Sequence, residues 1–229
     1  FFFPPPLHCR AFCGILDAVA FIWKGEAMYS PFFAFLSRMK YVDRWSLMRN
    51  TYPENLSTHS FEVAALSHLL ALIAKRRFGK EIDPERAAVL GLYHDMPEIL
   101  TGDLPTPVKY YNPVIKSAYA EVEKAASQKL LSALPQDLRK EMTPFFLPEK
   151  KDEALRPLVK AADKLCAYIK CREERRAGNA EFSKAEESTA EALRKMDLAE
   201  VQVFIDEFLP AFDLTLDQIS DRTGDESHV

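Results

Sequence analysis

From Phe32 onward, apolar positions recur with the period of a helix rather than of a strand. Phe32, Phe35, Leu36 and Met39 form a first stripe that ends near Tyr41, and residues 42–52 form a connector. Ser57 and Thr58 can cap a longer helix that runs to about Phe78 and stops at Gly79, with a stripe of Phe61, Ala65, Leu69, Leu72 and Ile73. Asp83-Pro84, a capping side chain followed by Pro at the first helical position, opens a third helix carrying Ala87, Ala88, Leu90, Gly91 and His94. Pro97 ends or kinks that helix, because it lacks a backbone donor and clashes with the preceding turn; it can also open a new turn. After a polar loop over 101–107, helical patterns resume at 114–133, 135–142, 154–176, 181–196 and 198–208, with a last turn over 214–219. No segment alternates with period two. The pattern predicts an all-α chain, a single bundle of about six to eight helices.

A length of 229 residues allows one such domain with a sizeable core, and 48% hydrophobic residues with only 7 Gly favour packed helices. The net charge of −4 argues against binding a nucleic acid polymer, which calls for a basic surplus, but leaves a small anionic substrate open. The four cysteines, Cys9, Cys13, Cys166 and Cys171, contain no CxxC pair, which predicts reduced thiols and a cytoplasmic protein. Residues 1–27 differ in character from the rest of the chain. Their apolar run, Ala11 to Trp23, is too short to span a membrane and contains Asp17; a lone Arg10 and the lack of a small-residue cleavage site speak against a signal peptide. Residues 1–27 are therefore expected to be an extension, 28–220 the functional domain and 221–229 a flexible tail. The charge run Arg172 to Arg176 reads as a solvated helix face.

Against this background four residues stand out. His59, the adjacent His94 and Asp95, and Asp163 make a mixed nitrogen and oxygen set, which suits a divalent transition ion with positions left for water and substrate. Taken singly, each would be a capping or ion-pairing side chain. Asp95 follows the apolar segment Leu90–Tyr93, and Asp163 follows Leu158–Ala162; carboxylates buried there need a partner or an ion. On a helix, neighbours point about 100° apart, so an ion shared by His94 and Asp95 must lie between them near the helix surface. His68, nine residues beyond His59, faces the other way, and His8 and His228 lie at the ends.

The pattern His59 … His94-Asp95 … Asp163 resembles the H…HD…D signature of the HD superfamily. More narrowly, residues 35–50, 54–60, 93–112 and 159–174 are similar to the bacterial 5'-deoxynucleotidases of the YfbR family, and TGDLPTPVK after HDxxE is far more specific than HD alone. The similarity extends over about Ser30 to Ser220. It implies an HD-domain helical bundle, usually a homodimer, that releases phosphate from deoxynucleoside 5'-monophosphates with one divalent ion, Co²⁺ or Mn²⁺ or a similar one. By position it implies His59, His94, Asp95 and Asp163 as metal ligands, with His59, Asp95 and Asp163 also near the substrate. It further implies Arg44 and Trp45 as substrate contacts, Asp103, Leu104, Pro105 and Thr106 as a substrate loop, and Glu98 as an acid needed for turnover. Pro97 departs from the family pattern.

Physical roles fit those positions. Arg44 offers a planar fork for a phosphate dianion, although alone it reads as a surface Arg. Trp45 offers a flat wall that can press on the ribose C2' and penalise a 2'-hydroxyl, although alone it reads as core. Glu98, four residues after His94, shares its face if the helix continues and is then a general acid or base. Asp103 can accept from a sugar 3'-hydroxyl, and Thr106 can bond sugar or phosphate, on a loop stiffened by two prolines. Two rivals stay open: another HD-type nucleotide phosphohydrolase or phosphodiesterase, and a non-catalytic helical dimer with a structural ion.

Overall fold

The computed structural model describes residues 29–147 and 149–224. The expectations placed on residues 1–28, including Cys9, Cys13 and His8, and on His228 lie outside them. Contacts group the chain from Phe32 onward as one unit.

The first stripe becomes α1 (Phe32–Leu36) and a 3-10 turn (Ser37–Tyr41) that bury Phe32 and Met39. The long helix α2 (Leu56–Phe78) is capped by Asn55, not by Ser57 or Thr58: the Asn55 side chain accepts from Thr58 N at 3.0 Å. Its end is as expected, with Gly79 at φ 63°. Asp83 caps α3 (Pro84–Tyr93) by accepting from Arg86 N. That helix ends at His94, and Pro97 caps a separate short helix, α4 (Glu98–Thr101). Next come α5 (Thr106–Lys109), α6 (Pro113–Ser132), α7 (Gln136–Phe146), α8 (Arg156–Arg176), α9 (Ser183–Lys195), α10 (Ala199–Glu207) and α11 (Leu216–Gly224). Eight of the described helices have nine residues or more, in line with the expected bundle. Residues 221–224 are helical where a tail was expected. Among the described residues there is no strand, only an isolated antiparallel bridge between Asp43 and Asn55.

α2 is the central element, packed on α3, α8 and α10. Its buried line is Val63, Leu66, Leu70 and Ala74, while Phe61 is 70% exposed and Ala65 is exposed. The expected stripe therefore fails at Phe61 and Ala65 but holds at Ile73, which is buried, and at half-buried Leu69. The helix is apolar on nearly every side, so periodicity alone could not pick its inner face. By length and composition α2 could cross a membrane, but here it is the core helix of a packed domain. Truncating fully buried Leu70 to Ala would cost about 2–5 kcal/mol. The α2–α3 approach depends on Gly91, where a Cβ would meet Ser67 Oγ at 2.8 Å and Val63 O at 3.0 Å. A second buried group, with Phe32, Leu56, Met96, Leu130 and Phe146, ties α1, α6 and α7 to the turn after α3.

Candidate active site

The four expected ligands converge. His59, one turn into α2, is fully buried, and its Nε2 lies 3.3 Å from Asp163 Oδ1 on α8 and 3.5 Å from Asp95 Oδ2. His94 Nε2 lies 3.0 Å from Asp95 Oδ2. Ligand atoms of His59, His94 and Asp95 all fall within 4.8 Å of one another, and Asp163 joins them through His59. His94 Nδ1 lies 2.7 Å from the Gly91 carbonyl, a contact that orients the ring with Nε2 toward the carboxylates.

The structure corrects one expectation. His94 and Asp95 sit at the end of α3 and in the turn beyond it, with His94 still in the helical region (φ −61°, ψ −37°). The Asp95 and Asp163 side chains keep 18% and 24% exposure, so they are half-buried rather than buried, and the cluster has an open side.

Both imidazole Nε2 atoms are buried without a hydrogen-bond partner. Orphaned ring nitrogens beside two carboxylates are the donor set of a divalent ion, so the residues fit the metal that the resemblance implies. Burial opposes the charge on His94, yet Asp95 outweighs it and lifts the imidazole to about 9. Burial would raise Asp163, but the His59 contact and Lys164 hold it well below the usual carboxylate range.

A loop closed at its base brings the next residues in. Arg44 N donates to Glu54 O at 3.0 Å and Leu56 N to Val42 O at 2.9 Å, and Glu174 on α8 accepts from the Thr51 and Tyr52 amides. Arg44 Nη1 thereby reaches Asp95 Oδ2 at 3.3 Å. Trp45 stands at φ 56°, a left-handed conformation costly for a bulky side chain, with its ring 5.4 Å from that of Phe182. Its Nε1 donates to Glu54 Oε2 at 2.8 Å, and its carbonyl accepts from Asn50 Nδ2 and Met48 N. Sequence reasoning missed Glu54. A Glu five residues before a helix-starting His has no signature of its own, and only the folded loop reveals its neighbours.

Glu98 is buried at the start of α4, with Oε2 unpartnered and Oε1 3.9 Å from Lys109 Nζ. Burial first, then the charges of Asp95 and Asp103, push it up to about 9, so it is a neutral acid. Pro97 does not displace it: Glu98, His94 and Asp95 line one cavity of about 410 Å³, together with Lys109 and Glu123. Asp103, Leu104 and Pro105 are half-buried, and Thr106 is exposed at the start of α5. Asp103 is close enough to Arg44 and Asp95 to feel both charges, and burial raises its carboxyl. Helix α6 pins both ends of this loop. The Tyr119 hydroxyl lies 3.1 Å from Thr101 Oγ1 and from Gly102 O, and Lys109 Nζ donates to Glu123 at 2.7 Å. A second cavity, of about 420 Å³, is lined by Glu54 and by an apolar wall of Phe61, Leu69, Ile169 and Phe204, and holds none of the four expected ligands.

Residues 31–212 match the family model described as 5'-deoxynucleotidase YfbR-like. The chain belongs to this family. It is 49% identical over 191 residues to a 5'-deoxynucleotidase of Vibrio parahaemolyticus, covering 83% of this chain and 98% of that protein. It is 47% identical over 196 residues to the 5'-deoxynucleotidase of Erwinia tasmaniensis, covering 86% and 99%. In fold it is similar to an HD-domain phosphohydrolase from Listeria innocua (TM-score 0.68, 19% identity, 86% of this chain and 98% of that one). It is also similar to the cyanophage S-2L HD phosphohydrolase DatZ, solved with dA and one catalytic Zn²⁺ ion (TM-score 0.56, 23% identity, 79% and 93%). In this YfbR-like chain the matched region holds every residue of the cluster, from Arg44 to Asp163.

Proposed function

We propose that this YfbR-like protein hydrolyses deoxynucleoside 5'-monophosphates to deoxynucleosides and inorganic phosphate, with one divalent ion held by His59, His94, Asp95 and Asp163. The observation that carries the reading is the pair of orphaned Nε2 atoms facing two carboxylates, with a guanidinium 3.3 Å from one of them. The 5'-deoxynucleotidase names of relatives aligned over 98–99% of their length support the substrate class. DatZ, bound to dA and a catalytic Zn²⁺, supports the pairing of a deoxynucleoside with a divalent ion in this fold.

A divalent ion supplies Lewis acidity at the phosphoryl group and eases deprotonation of water at neutral pH. The chain does the rest. Arg44 binds phosphoryl oxygens through its planar fork, exchanging its contact with Asp95 for the dianion. Water attacks phosphorus, the bond to O5' breaks, Glu98 delivers its proton to that oxygen, and the proton lost by the attacking water restores Glu98. Trp45, fixed at its indole nitrogen, stands against C2' and excludes a 2'-hydroxyl. Asp103 accepts from the 3'-hydroxyl, Thr106 bonds sugar or phosphate, and Leu104 and Pro105 hold the loop between them.

Co²⁺ or Mn²⁺ as the ion, a cytoplasmic setting and a homodimer belong to the same proposal. Buried free thiols at Cys166 and Cys171 support a reducing compartment. Exposed Phe61 and Tyr52 support an apolar subunit contact, and sedimentation showing monomer only at micromolar protein would remove the dimer.

The deciding experiment is phosphate release from dAMP and AMP, side by side, with Co²⁺, Mn²⁺ or EDTA. Release from dAMP alone, abolished by EDTA, is expected. Equal release from both would keep the metal hydrolase and remove the sugar selection. No release with any metal would remove the hydrolase.

A further inference from the structure

We propose that Glu54 is a positioning residue that couples the metal site to the sugar-selecting wall. The inference rests on the function proposed above and adds a residue to it. One buried carboxylate, 8% exposed, faces three groups with three different roles. Its Oε2 accepts from Trp45 Nε1 at 2.8 Å and lies 3.5 Å from Arg44 Nε. Its Oε1 lies 3.5 Å from His59 Nδ1, the ring nitrogen opposite the one that faces Asp95 and Asp163.

Each contact has a physical consequence. At 3.5 Å the Glu54 carboxylate acts on His59 Nδ1 by charge rather than through a formed hydrogen bond, and a negative charge behind a ring proposed as a ligand raises the basicity of its coordinating nitrogen. Trp45 is held in a left-handed backbone conformation that only its surroundings maintain, and Glu54 is the partner of its indole N–H. Arg44 divides its guanidinium between Glu54 and Asp95, so Glu54 also sets where the fork points. Glu54 is itself firmly placed, because its carbonyl accepts from Arg44 N and the amides of Thr51 and Tyr52, just before it, are bound by the buried Glu174.

The test compares wild type, Glu54→Ala and Glu54→Gln in the full chain. It reads kcat and KM for dAMP and AMP, Co²⁺ binding to the metal-free protein by calorimetry, and the thermal midpoint. In Glu54→Ala the dAMP/AMP ratio of kcat/KM should fall about tenfold, and the Kd for Co²⁺ should rise roughly 10–100-fold. Glu54→Gln should separate the two effects. Its amide oxygen still accepts from Trp45, so the ratio should stay near wild type, while the loss of charge behind His59 still weakens Co²⁺ binding. A folded Glu54→Ala protein with an unchanged ratio and unchanged Co²⁺ affinity would overturn the proposal, whatever its overall rate. Should the Ala variant not fold, unchanged Co²⁺ affinity in the Gln variant would overturn it equally. Wild type that releases no phosphate would sink the nucleotidase reading instead, and the Co²⁺ titration would still decide for or against Glu54.

Discussion

Glu54 and Glu98 are the same residue type, almost equally buried at 8% and 5%, in one site, and their surroundings drive them in opposite directions. Glu54 is desolvated, which would raise it, but His59, Arg44 and the Trp45 N–H surround it and hold it below the ordinary glutamate value. Glu98 is desolvated beside Asp95 and Asp103, its Oε2 meets no donor, and Lys109, the cation nearest to it, is already committed to Glu123. Burial alone therefore predicts neither role. The sign of the neighbours holds one carboxyl ionised and leaves the other protonated, as the anchor and proton-donor roles proposed for them require.

The sharpest way to break this contrast is to remove the charge that Glu98 feels most. Asp95→Ala, which also deletes a proposed metal ligand, should abolish phosphate release in a discontinuous phosphate assay; full activity would sink the ligand assignment. Next in size is Glu98→Gln, which should lower kcat by roughly 10²–10⁴-fold with Co²⁺ affinity unchanged. Wild type should show an alkaline limb in kcat at or below about 9, because a bound cation offsets Asp95, and the variant should lack that limb. Smaller again is Trp45→Ala, with a dAMP/AMP ratio reduced about 10–100-fold; an unchanged ratio would remove Trp45 as the sugar selector.

Two modest effects sharpen the comparison further. Glu98 stays protonated to about 9 in the folded chain but ionises near 4.5 when unfolded. The stability its neutral form contributes is full below 4.5 and is lost as pH rises through 9. In EDTA, Glu98→Gln should therefore melt roughly 2–4 °C above wild type at pH 9 and no higher than wild type at pH 4.5, by circular dichroism. Smallest, Glu123→Gln frees Lys109 to pair with Glu98, as Arg44 pairs with Glu54, and should move the alkaline limb down by roughly one unit.

Helix positions were legible from the sequence wherever caps and breakers mark them, as at Asp83-Pro84 and Gly79. The inner face of α2 was not, because a helix apolar all round offers no contrast to read. Pro97 could be read as ending α3 or as opening a turn, and the fold does both, with α3 ending at His94 and α4 starting after Pro97. The candidate metal cluster was legible because its residues carry a spaced motif, and α2, α8 and the turn after α3 bring them together. Glu54, Glu174 and the Tyr119–Glu123 face of α6 were not. Each acts through contacts more than a turn away along the chain, and nothing local sets them apart from solvated charges or ordinary helix residues.

Gly91 has a wider meaning. Its missing side chain lets α2 and α3 touch, and its carbonyl orients the His94 ring. A larger residue would wedge the two helices apart at about 1–3 kcal/mol, and the same displacement would carry the acceptor away from the imidazole. Heat tolerance and the pose of a proposed ligand are thus set at one position, so a single substitution there is expected to lower both together.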